Sequence, residues 1–255
     1  MRRVLVTALA ATSMGLATPA AAAVVFTGSS GNLAASVTFD IVGGNLQVVL
    51  INTSTADTNG NGEVLQAVFF DIAGNPTLIY ADADLTAGSG FIHTATLAGS
   101  GSDIGAEWAY GRDTGGLGSL TQVYGLSSAG YGIFGPGDVL GGAAHPDRGG
   151  ATTPPDGGDF GLVSAGWVAA GDANGFINNG PHIQNSATFV LTGFNGSLSS
   201  ISNIRFQYGT ALTETSIPGV PPVPEPATWA MMLLGFGGIG MTMRRGRKRT
   251  LAQIA

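Results

Sequence analysis

The sequence predicts an all-β fold, a two-sheet sandwich of the jelly-roll-like or immunoglobulin-like kind. Three observations support this prediction: short apolar stretches alternate with period two, turn residues separate them, and long helix-forming runs are absent. Glycine supplies 36 of the 200 residues from 24 to 223, so chain reversals can be frequent. Many short strands joined by Gly, Asn, Asp and Ser are typical of sandwiches and barrels.

A hairpin is the clearest element. Val37, Phe39 and Ile41 alternate with polar residues, the turn 43–45 (Gly-Gly-Asn) follows, and the alternation resumes over 46–50. The irregular segment 135–180 contains repeated proline and glycine, and predicts a functional loop, a flexible flap or strands without a clear pattern. Further strands are expected at 64–70, 77–80, 91–97, 107–110, 122–124, 187–192 and 203–208.

The N-terminus has the pattern of a secretory signal peptide. Arg2 and Arg3 precede an apolar stretch over 4–17, and Ala23 closes a small-x-small cleavage site. We therefore expect residues 1–23 to be removed after passage through the Sec translocon and signal peptidase, with Val24 as the mature start. One all-β exported domain is expected over 24–216, followed by a proline-rich stalk over 217–223.

The C-terminus has the pattern of a membrane-directed tail over 224–249. Residues 227–243 carry no charge, and 17 residues are about the minimum for a membrane-spanning helix. Trp229 lies near its outer end, where an aromatic ring favours the interface, and the cations after it favour the cytoplasm. These basic residues are Arg244, Arg245, Arg247, Lys248 and Arg249. Spacing alone leaves two alternatives open, an ordinary anchor and a sorting signal.

The residues themselves resemble a specific family. Pro224-Glu225-Pro226-x-x-Trp229-Ala230, followed by Met-Met-Leu-Leu-Gly-Phe-Gly and an Arg-rich end, resembles the PEP-CTERM sorting domain in its Trp-Ala variant. The resemblance implies removal of the tail near Pro-Glu-Pro by exosortase, a membrane-embedded cysteine transpeptidase. It also implies a Gram-negative bacterium, commonly one that makes exopolysaccharide, and a precursor held only transiently in the inner membrane. The mature form is then expected at the cell surface or in the extracellular matrix.

Three segments of the exported domain resemble stretches of exosortase-dependent surface proteins that have no assigned biochemical activity. They are 105–110, 126–138 and 206–214. This second resemblance brings no catalytic residues with it and supports one continuous domain.

Charge separates the domain from its signals. The whole-chain formal charge of −6 includes seven cations in the two terminal signals. From 24 to 223 only Arg112, Arg148 and Arg205 are basic against fifteen acidic residues, which gives about −12. A surface this acidic argues against nucleic acid and anionic lipid as partners, and it is compatible with divalent cations. Cysteine is absent, so disulfides do not stabilise the domain.

One segment resembles the first half of a calcium loop. Asp57, Asn59 and Asn61 are spaced as oxygen ligands, with glycine at the sixth position and Glu63 next to it. The bidentate Glu of the twelfth position is replaced by Val68, and the flanking segments are strands. A polar hairpin loop explains the same residues. Calcium is the one cofactor for which the sequence offers a candidate site.

Other motifs predict little chemistry. The glycines 130, 132 and 135 match G-x-G-x-x-G, but no helix is expected to start there. His93, His145 and His182 lack zinc spacing, although His145 and Asp147 could begin a site. Carboxylate pairs could serve a glycosidase or simply belong to the solvated surface, and aromatic rings could stack on sugars or be buried in the sandwich core. The pairs are Asp82/Asp84, Asp103/Glu107 and Asp156/Asp159, and the rings are Trp108, Trp167 and Tyr131.

These observations leave three hypotheses for the function. The first is a non-enzymatic surface or matrix protein, processed by exosortase and associated with exopolysaccharide or biofilm. The second is a calcium-assisted carbohydrate-binding module. The third is an extracellular hydrolase that uses a carboxylate pair.

Overall fold

Short paired strands dominate the computed structural model, which describes residues 22–92, 102–140, 155, 158–167, 180–221, 231–241 and 244. One α-helix, α1, covers 231–241. The strands are β1 (Val24–Ser30), β2 (Leu33–Val42), β3 (Asn45–Asn52), β4 (Leu65–Ile72), β5 (Ile79–Leu85), β6 (Gly90–Ile92), β7 (Ala109–Arg112), β8 (Tyr124–Ser127), β9 (Leu162–Val163), β10 (His182–Gln184), β11 (Ser186–Thr192), β12 (Ile201–Tyr208) and β13 (Ser216–Pro218).

The first sheet, sheet A, contains five antiparallel strands in the order β1-β2-β3-β11-β5. Its centre is the predicted hairpin, which the structure confirms: Val42 pairs with Asn45 across Gly43 and Gly44. Both glycines have positive φ, 59° and 84°, as a two-residue hairpin turn of the type I′ form requires. Along β3 buried and half-buried residues alternate, so one face of the sheet meets the core and the other is open to solvent.

The second sheet, sheet B, has the order β13-β12-β4-β9-β10-β6, and β8 also pairs with β4 and with β7. The long strand β4 is its centre, because it pairs with β12 along one side and with β8 and β9 along the other. Neither face of β4 is open to solvent, and all of its residues except Asp71 are buried.

The inner faces of the two sheets share one apolar core. Phe39 of β2 meets Phe70 of β4 edge to face, with ring centroids 5.2 Å apart. Trp108 lies against Phe189 of β11 at 4.8 Å. Aromatic pairs at these distances contribute about 0.5–1.5 kcal/mol beyond the area they bury.

The outer face of sheet B is covered by a layer of loops. A second apolar cluster joins Phe69 of β4 and Ala109 of β7 to Leu117, Leu120 and Phe134 from the connecting segments. The Phe69 and Phe134 rings are stacked with centroids 6.3 Å apart. These residues lie in the connections before and after β8, and they give β4 its second buried face.

Several strand predictions agree with the structure and others are shifted. The strands expected at 64–70, 187–192 and 203–208 correspond to β4, β11 and β12. Those expected at 77–80 and 122–124 begin later, as β5 and β8. Residues 105–107 form a 3₁₀ turn, so only 109–110 of the segment 107–110 are extended. Of the strand expected at 91–97, residues 91–92 belong to β6 and 93–97 lie outside the described residues.

Four strands have no counterpart in the sequence prediction: β1, β9, β10 and β13. Three of them contain only two or three residues, too few for a period to be recognised. The strand β1 is longer, but its sequence, Val-Val-Phe-Thr-Gly-Ser-Ser, has apolar and small residues side by side. Pairing with β2 along all seven residues, rather than alternation, makes it a strand.

Candidate functional site

The segment that leads to the C-terminal tail is held in sheet B. Strand β13 pairs antiparallel with β12, and Ile217 is opposite Phe206 with only 3% of its surface exposed. Two residues further, the Gly219 amide donates to the Ile204 carbonyl oxygen at 2.8 Å. A side chain at Gly219 would collide with Ile204, so this close approach requires glycine.

The same segment also contacts sheet A. Thr27 of β1 and Val220 exchange two backbone hydrogen bonds, of 3.0 and 2.8 Å. Beside them, a Cβ on Gly28 would lie 2.8 Å from the Ile217 side chain. The first strand of the domain and the last paired residues before the tail therefore join the two sheets at one edge. We call residues 216–220 the tail clamp.

The tail clamp differs from the stalk predicted over 217–223. Residues 217–220 belong to the domain's sheets, and only Pro221 of the remaining stalk lies within the described residues. The extended conformation expected from the prolines is present, but its pairing cannot be read from composition. Pro218 is tolerated because β13 is an edge strand, where a missing N–H leaves no ladder bond unmade.

The tail contributes one short, fully apolar helix. Every described residue of α1 is exposed, including Met231, Leu233, Phe236 and Ile239. Arg244 follows as an exposed helical residue. Within the described residues no helix has both the length and the apolar character needed to cross a membrane.

The remaining predicted sorting residues lie outside the described residues, except Ala23. Ala23 is exposed and directly precedes β1. The others are Pro224, Glu225, Pro226, Trp229, Arg245, Arg247, Lys248 and Arg249.

The predicted calcium loop connects β3 to β4 and is closed by its own hydrogen bonds. Glu63 Oε2 accepts the Asn59 amide at 2.8 Å, and Asp57 Oδ1 accepts the Thr58 amide at 2.9 Å. Thr58 is buried, and its hydroxyl oxygen accepts the Ser164 amide at 3.1 Å. Two of the four predicted ligands thus already have backbone donors. This is the behaviour of the polar hairpin loop that the sequence offered as the alternative.

Asn61 is the exception within this loop. Its Oδ1 is buried and accepts no hydrogen bond from the described part of the chain. Gly158 lies against its side-chain amide, so the loop contacts the segment that leads into β9 of sheet B. Across the described residues no cluster of three His, Asp or Glu has the geometry of a metal site.

The carboxylate pairs proposed for hydrolysis occupy different environments. Glu107 is 1% exposed, whereas Asp103 lies at the edge of β5, where it forms a bridge with Asp84. Asp82 and Asp84 point from the same face of β5, the solvent face of sheet A. Burial and the neighbouring Asp84 and Asp103 raise the pKa of Asp82. Asp159 is described and Asp156 is not, so their pair lies partly outside the described residues.

Tyr80 belongs to the same acidic strand. Burial, followed by the nearby negative charges of Asp103, Asp82 and Asp84, raises the pKa of Tyr80 to about 12. The cluster is a group of mutually repelling carboxylates on the edge strand of sheet A.

The aromatic side chains proposed to stack on sugars serve the fold instead. Trp108 is fully buried in the core between the sheets. Tyr131 packs against Phe69, and its hydroxyl donates to the Gly209 carbonyl oxygen at 2.9 Å. Trp167 is partly buried against a small cluster formed by Val64 and Val163. The position of Trp108 agrees with the alternative of a buried core residue, because a ring without exposed surface cannot bind a sugar.

Only one of the three histidines, His182, lies within the described residues. His182 is 2% exposed, in β10, and His93 and His145 lie outside the described residues. The glycines 130, 132 and 135 form a turn after β8, followed by the 3₁₀ turn Pro136–Asp138. Asp138 Oδ2 accepts the Gly135 amide at 2.7 Å. A helix N-terminus that could bind a pyrophosphate is therefore missing from this described segment.

The three segments that resemble exosortase-dependent surface proteins meet in space. Tyr110 pairs with Leu126 between β7 and β8, and the Tyr131 hydroxyl reaches Gly209 in the third segment. Within that third segment, Gln207 is buried and donates to several carbonyl oxygens of the loop 209–215. Glu214 Oε2 closes the loop by accepting the Thr210 and Ala211 amides. These residues organise the packing over sheet B.

The described residues form a mostly β domain that ends in the tail clamp, and a short exposed apolar helix followed by a cation comes after it. These features define a domain with a C-terminal membrane-directed tail. The family model described as PEP-CTERM protein-sorting motif matches residues 222–248, and the chain carries that motif. The motif indicates an exosortase-dependent exported protein and a membrane-anchored sorting precursor. No curated protein and no solved structure matches the chain significantly.

Proposed function

We propose that this protein is a non-enzymatic component of the cell surface or extracellular matrix of a Gram-negative bacterium, with a structural or binding role in exopolysaccharide or biofilm. The observation that carries the proposal is the sorting motif at 222–248, which begins two residues after the last paired residue, Val220. A folded domain attached directly to a removable tail suits a protein that is delivered as cargo.

The N-terminal boundary supports export. Strand β1 begins at Val24, the residue expected after signal-peptide cleavage, so cleavage after Ala23 leaves β1 complete. A signal peptide over 1–23 and a transmembrane helix over 227–243 are parts of this proposal.

The arrangement of the two sheets supports a sandwich domain with a non-enzymatic role. Two sheets share one core, as in jelly-roll-like and immunoglobulin-like domains. Glu107 and Trp108, which hydrolysis or sugar stacking would need in a cleft, are buried. Their burial favours a binding or structural role over hydrolysis.

Replacement of Pro224, Glu225 and Pro226 by alanine tests the proposal. In the native host, the wild-type protein should lose the mass of the tail and leave the inner membrane, whereas the variant should retain the tail and stay there. Intact mass and cell fractionation measure both properties. A control replaces Pro221 by alanine, which removes a proline just upstream of the matched motif and should leave processing unchanged.

Two results would contradict the proposal. If wild type and variant both keep residues 231–249 in the inner membrane, the tail is an ordinary anchor. If the protein stays in the cytosol with both ends intact, export itself is wrong.

A calcium-assisted carbohydrate-binding role is the second candidate. One observation favours it, the buried Asn61 Oδ1 that accepts no hydrogen bond from the described residues. A ligand that binds only the folded state at 100 times its Kd stabilises it by about 2.7 kcal/mol. We expect a rise in melting temperature at millimolar calcium that Asn61→Ala abolishes, with Asn45→Ala, outside the loop, as control. An unchanged melting temperature would exclude this role.

A further inference from the structure

The described part of the domain has few exposed large apolar side chains, and three of the four outside α1 lie at one end of sheet A. The four are Ile41, Val42, Ile79 and Val220, with 37, 48, 64 and 56% of their surface exposed. Single exposed apolar residues are ordinary on protein surfaces, but the grouping of three at one end of a sheet needs a cause. We call Ile41, Val42 and Ile79 the apolar end.

The strand register shows that these three residues share one end of sheet A. Val24, the first residue of β1, pairs with Phe39, so the β2–β3 turn with Ile41 and Val42 extends beyond the start of β1. Ile41 is level with Leu46, Leu191 and Tyr80 across four strands, and Ile79 is the next residue. The apolar residues therefore follow the rim of the sheet from β2 to its edge strand β5.

Val220 lies farther along the sheet, level with Thr27 and Ser36, and it gives the direction of the tail. It pairs antiparallel with Thr27, so the chain that leaves Val220 runs toward the start of β1. The mature N-terminus expected at Val24 and the sorting tail thus leave the domain at the same end as Ile41 and Val42. Because the tail clamp is paired with both sheets, this exit direction is fixed up to Val220.

The tail is short enough to hold this end near a membrane. Eleven peptide units separate Val220 from Met231, the first described residue of the apolar helix, and they span at most about 40 Å when fully extended. A short tether gives its attached group a high effective concentration, so weak contacts become populated.

We propose that the apolar end rests on the lipid surface while the precursor is anchored by its tail. The partner is the zwitterionic headgroup region of the membrane, into which exposed Ile and Val side chains insert. This inference rests on the proposed function, because it needs the tail to be in the membrane.

The charges at this end set the lipid preference. Asp40 precedes Ile41, and its Oδ1 accepts a hydrogen bond from the Ile41 amide at 2.7 Å. Asp82 lies three residues after Ile79. Arg112 is the cation nearby, and its guanidinium donates to the Asn75 carbonyl oxygen in the loop before β5. Acidic residues beside the apolar ones disfavour anionic lipid, so neutral vesicles are the appropriate probe.

Because the chain lacks cysteine, single labels can be placed cleanly. Full-length Val42→Cys, Ile79→Cys and Asn32→Cys are labelled with a small fluorophore and reconstituted in phosphatidylcholine vesicles with brominated acyl chains. Asn32 is an exposed residue in the β1–β2 turn at the opposite end of the sheet, and it serves as the matched control. We expect quenching of about two-fold or more at 42 and 79 and almost none at 32.

Three outcomes would overturn the inference. If the protein floats with the vesicles but positions 42, 79 and 32 are quenched equally, or not at all, the apolar end does not face lipid. If the label at position 42 becomes less accessible to solvent in unbrominated vesicles as the protein density rises, a second copy of the chain covers it. If the protein does not float with the vesicles, the anchored precursor itself is wrong, which separates failure of the proposed function from failure of this inference.

Discussion

Sheet A and sheet B use the same strand chemistry but bury their faces differently. In β3 of sheet A, buried and half-buried residues alternate along the whole strand. In β4 of sheet B, every residue except Asp71 is buried. The cause is the layer of loops over the outer face of sheet B, which sheet A lacks among the described residues. Alternating burial along a strand therefore indicates that one face is open to solvent, whereas continuous burial indicates that a second layer covers that face.

Glycine makes the second layer possible. Gly111 of β7 and Gly125 of β8 are paired, and a Cβ on either would lie 2.6 Å from an aromatic ring. The rings are those of Phe134 and Phe69, which stack in the space that the two glycines leave. The glycine content that predicts turns thus also provides a flat surface for aromatic packing.

The largest expected effect tests whether the outer face of sheet B is a true core. Phe69→Ala should lower the free energy of unfolding by about 3–5 kcal/mol, because it leaves a cavity between Gly125 and Phe134. Val49→Ala, on the outer face of β3, should cost at most about 1 kcal/mol. Denaturant unfolding of both variants measures the difference. Equal costs would contradict the second layer.

The glycine platform gives the next effect. Gly125→Ala should destabilise the protein by about 1–3 kcal/mol, because the added methyl group overlaps the Phe69 ring. Gly90→Ala, in β6 of the same sheet, meets open space and should change the stability by less than about 0.5 kcal/mol. Melting temperatures of the two variants, compared with wild type, decide the point. If Gly125→Ala leaves the melting temperature unchanged, the loop layer over sheet B adapts easily to the added methyl group.

The link between the two sheets gives a smaller effect. Thr27→Pro removes the amide that donates to Val220 and should cost about 1 kcal/mol. Ser29→Pro, two residues along β1, removes an amide on the same side that, within the described residues, does not donate to the tail clamp, and it controls for proline itself. Hydrogen exchange at the Val220 amide should rise in Thr27→Pro alone. Similar exchange in both variants would mean that β12 suffices to hold the tail clamp.

The smallest effect concerns the exposed face of sheet A. The raised pKa of Asp82 means that its stabilising contribution is present below pH 3.8 and is lost as the pH rises through the folded-state pKa. Asp82→Asn should therefore stabilise the protein at pH 7 by less than about 1 kcal/mol, since the site is solvent-screened. Denaturation midpoints at pH 7 and pH 3 measure the change, and the advantage should vanish at pH 3. A variant that is less stable at pH 7 would show that Asp84 and Asp103 do not repel Asp82.

Some features of the candidate site could be predicted from the sequence, and others depend on the fold. The sorting motif was predictable, because Pro-Glu-Pro, an apolar run and a cation cluster are contiguous. The tail clamp was not, because Ile217 and Val220 gain their roles from β12 and β1, which are distant in sequence. The calcium spacing over 57–63 was visible in the sequence, but the amides that occupy Asp57 and Glu63 were not.

The predominance of short strands, the β2–β3 hairpin and the sorting motif follow from the local sequence, since each depends on neighbouring residues and local backbone preference. The second buried face of β4, the pairing of Thr27 with Val220 and the burial of Trp108 and Glu107 arise only in the folded domain. These features depend on contacts between segments far apart along the chain, where one loop or edge strand changes the environment of a residue without changing its local pattern.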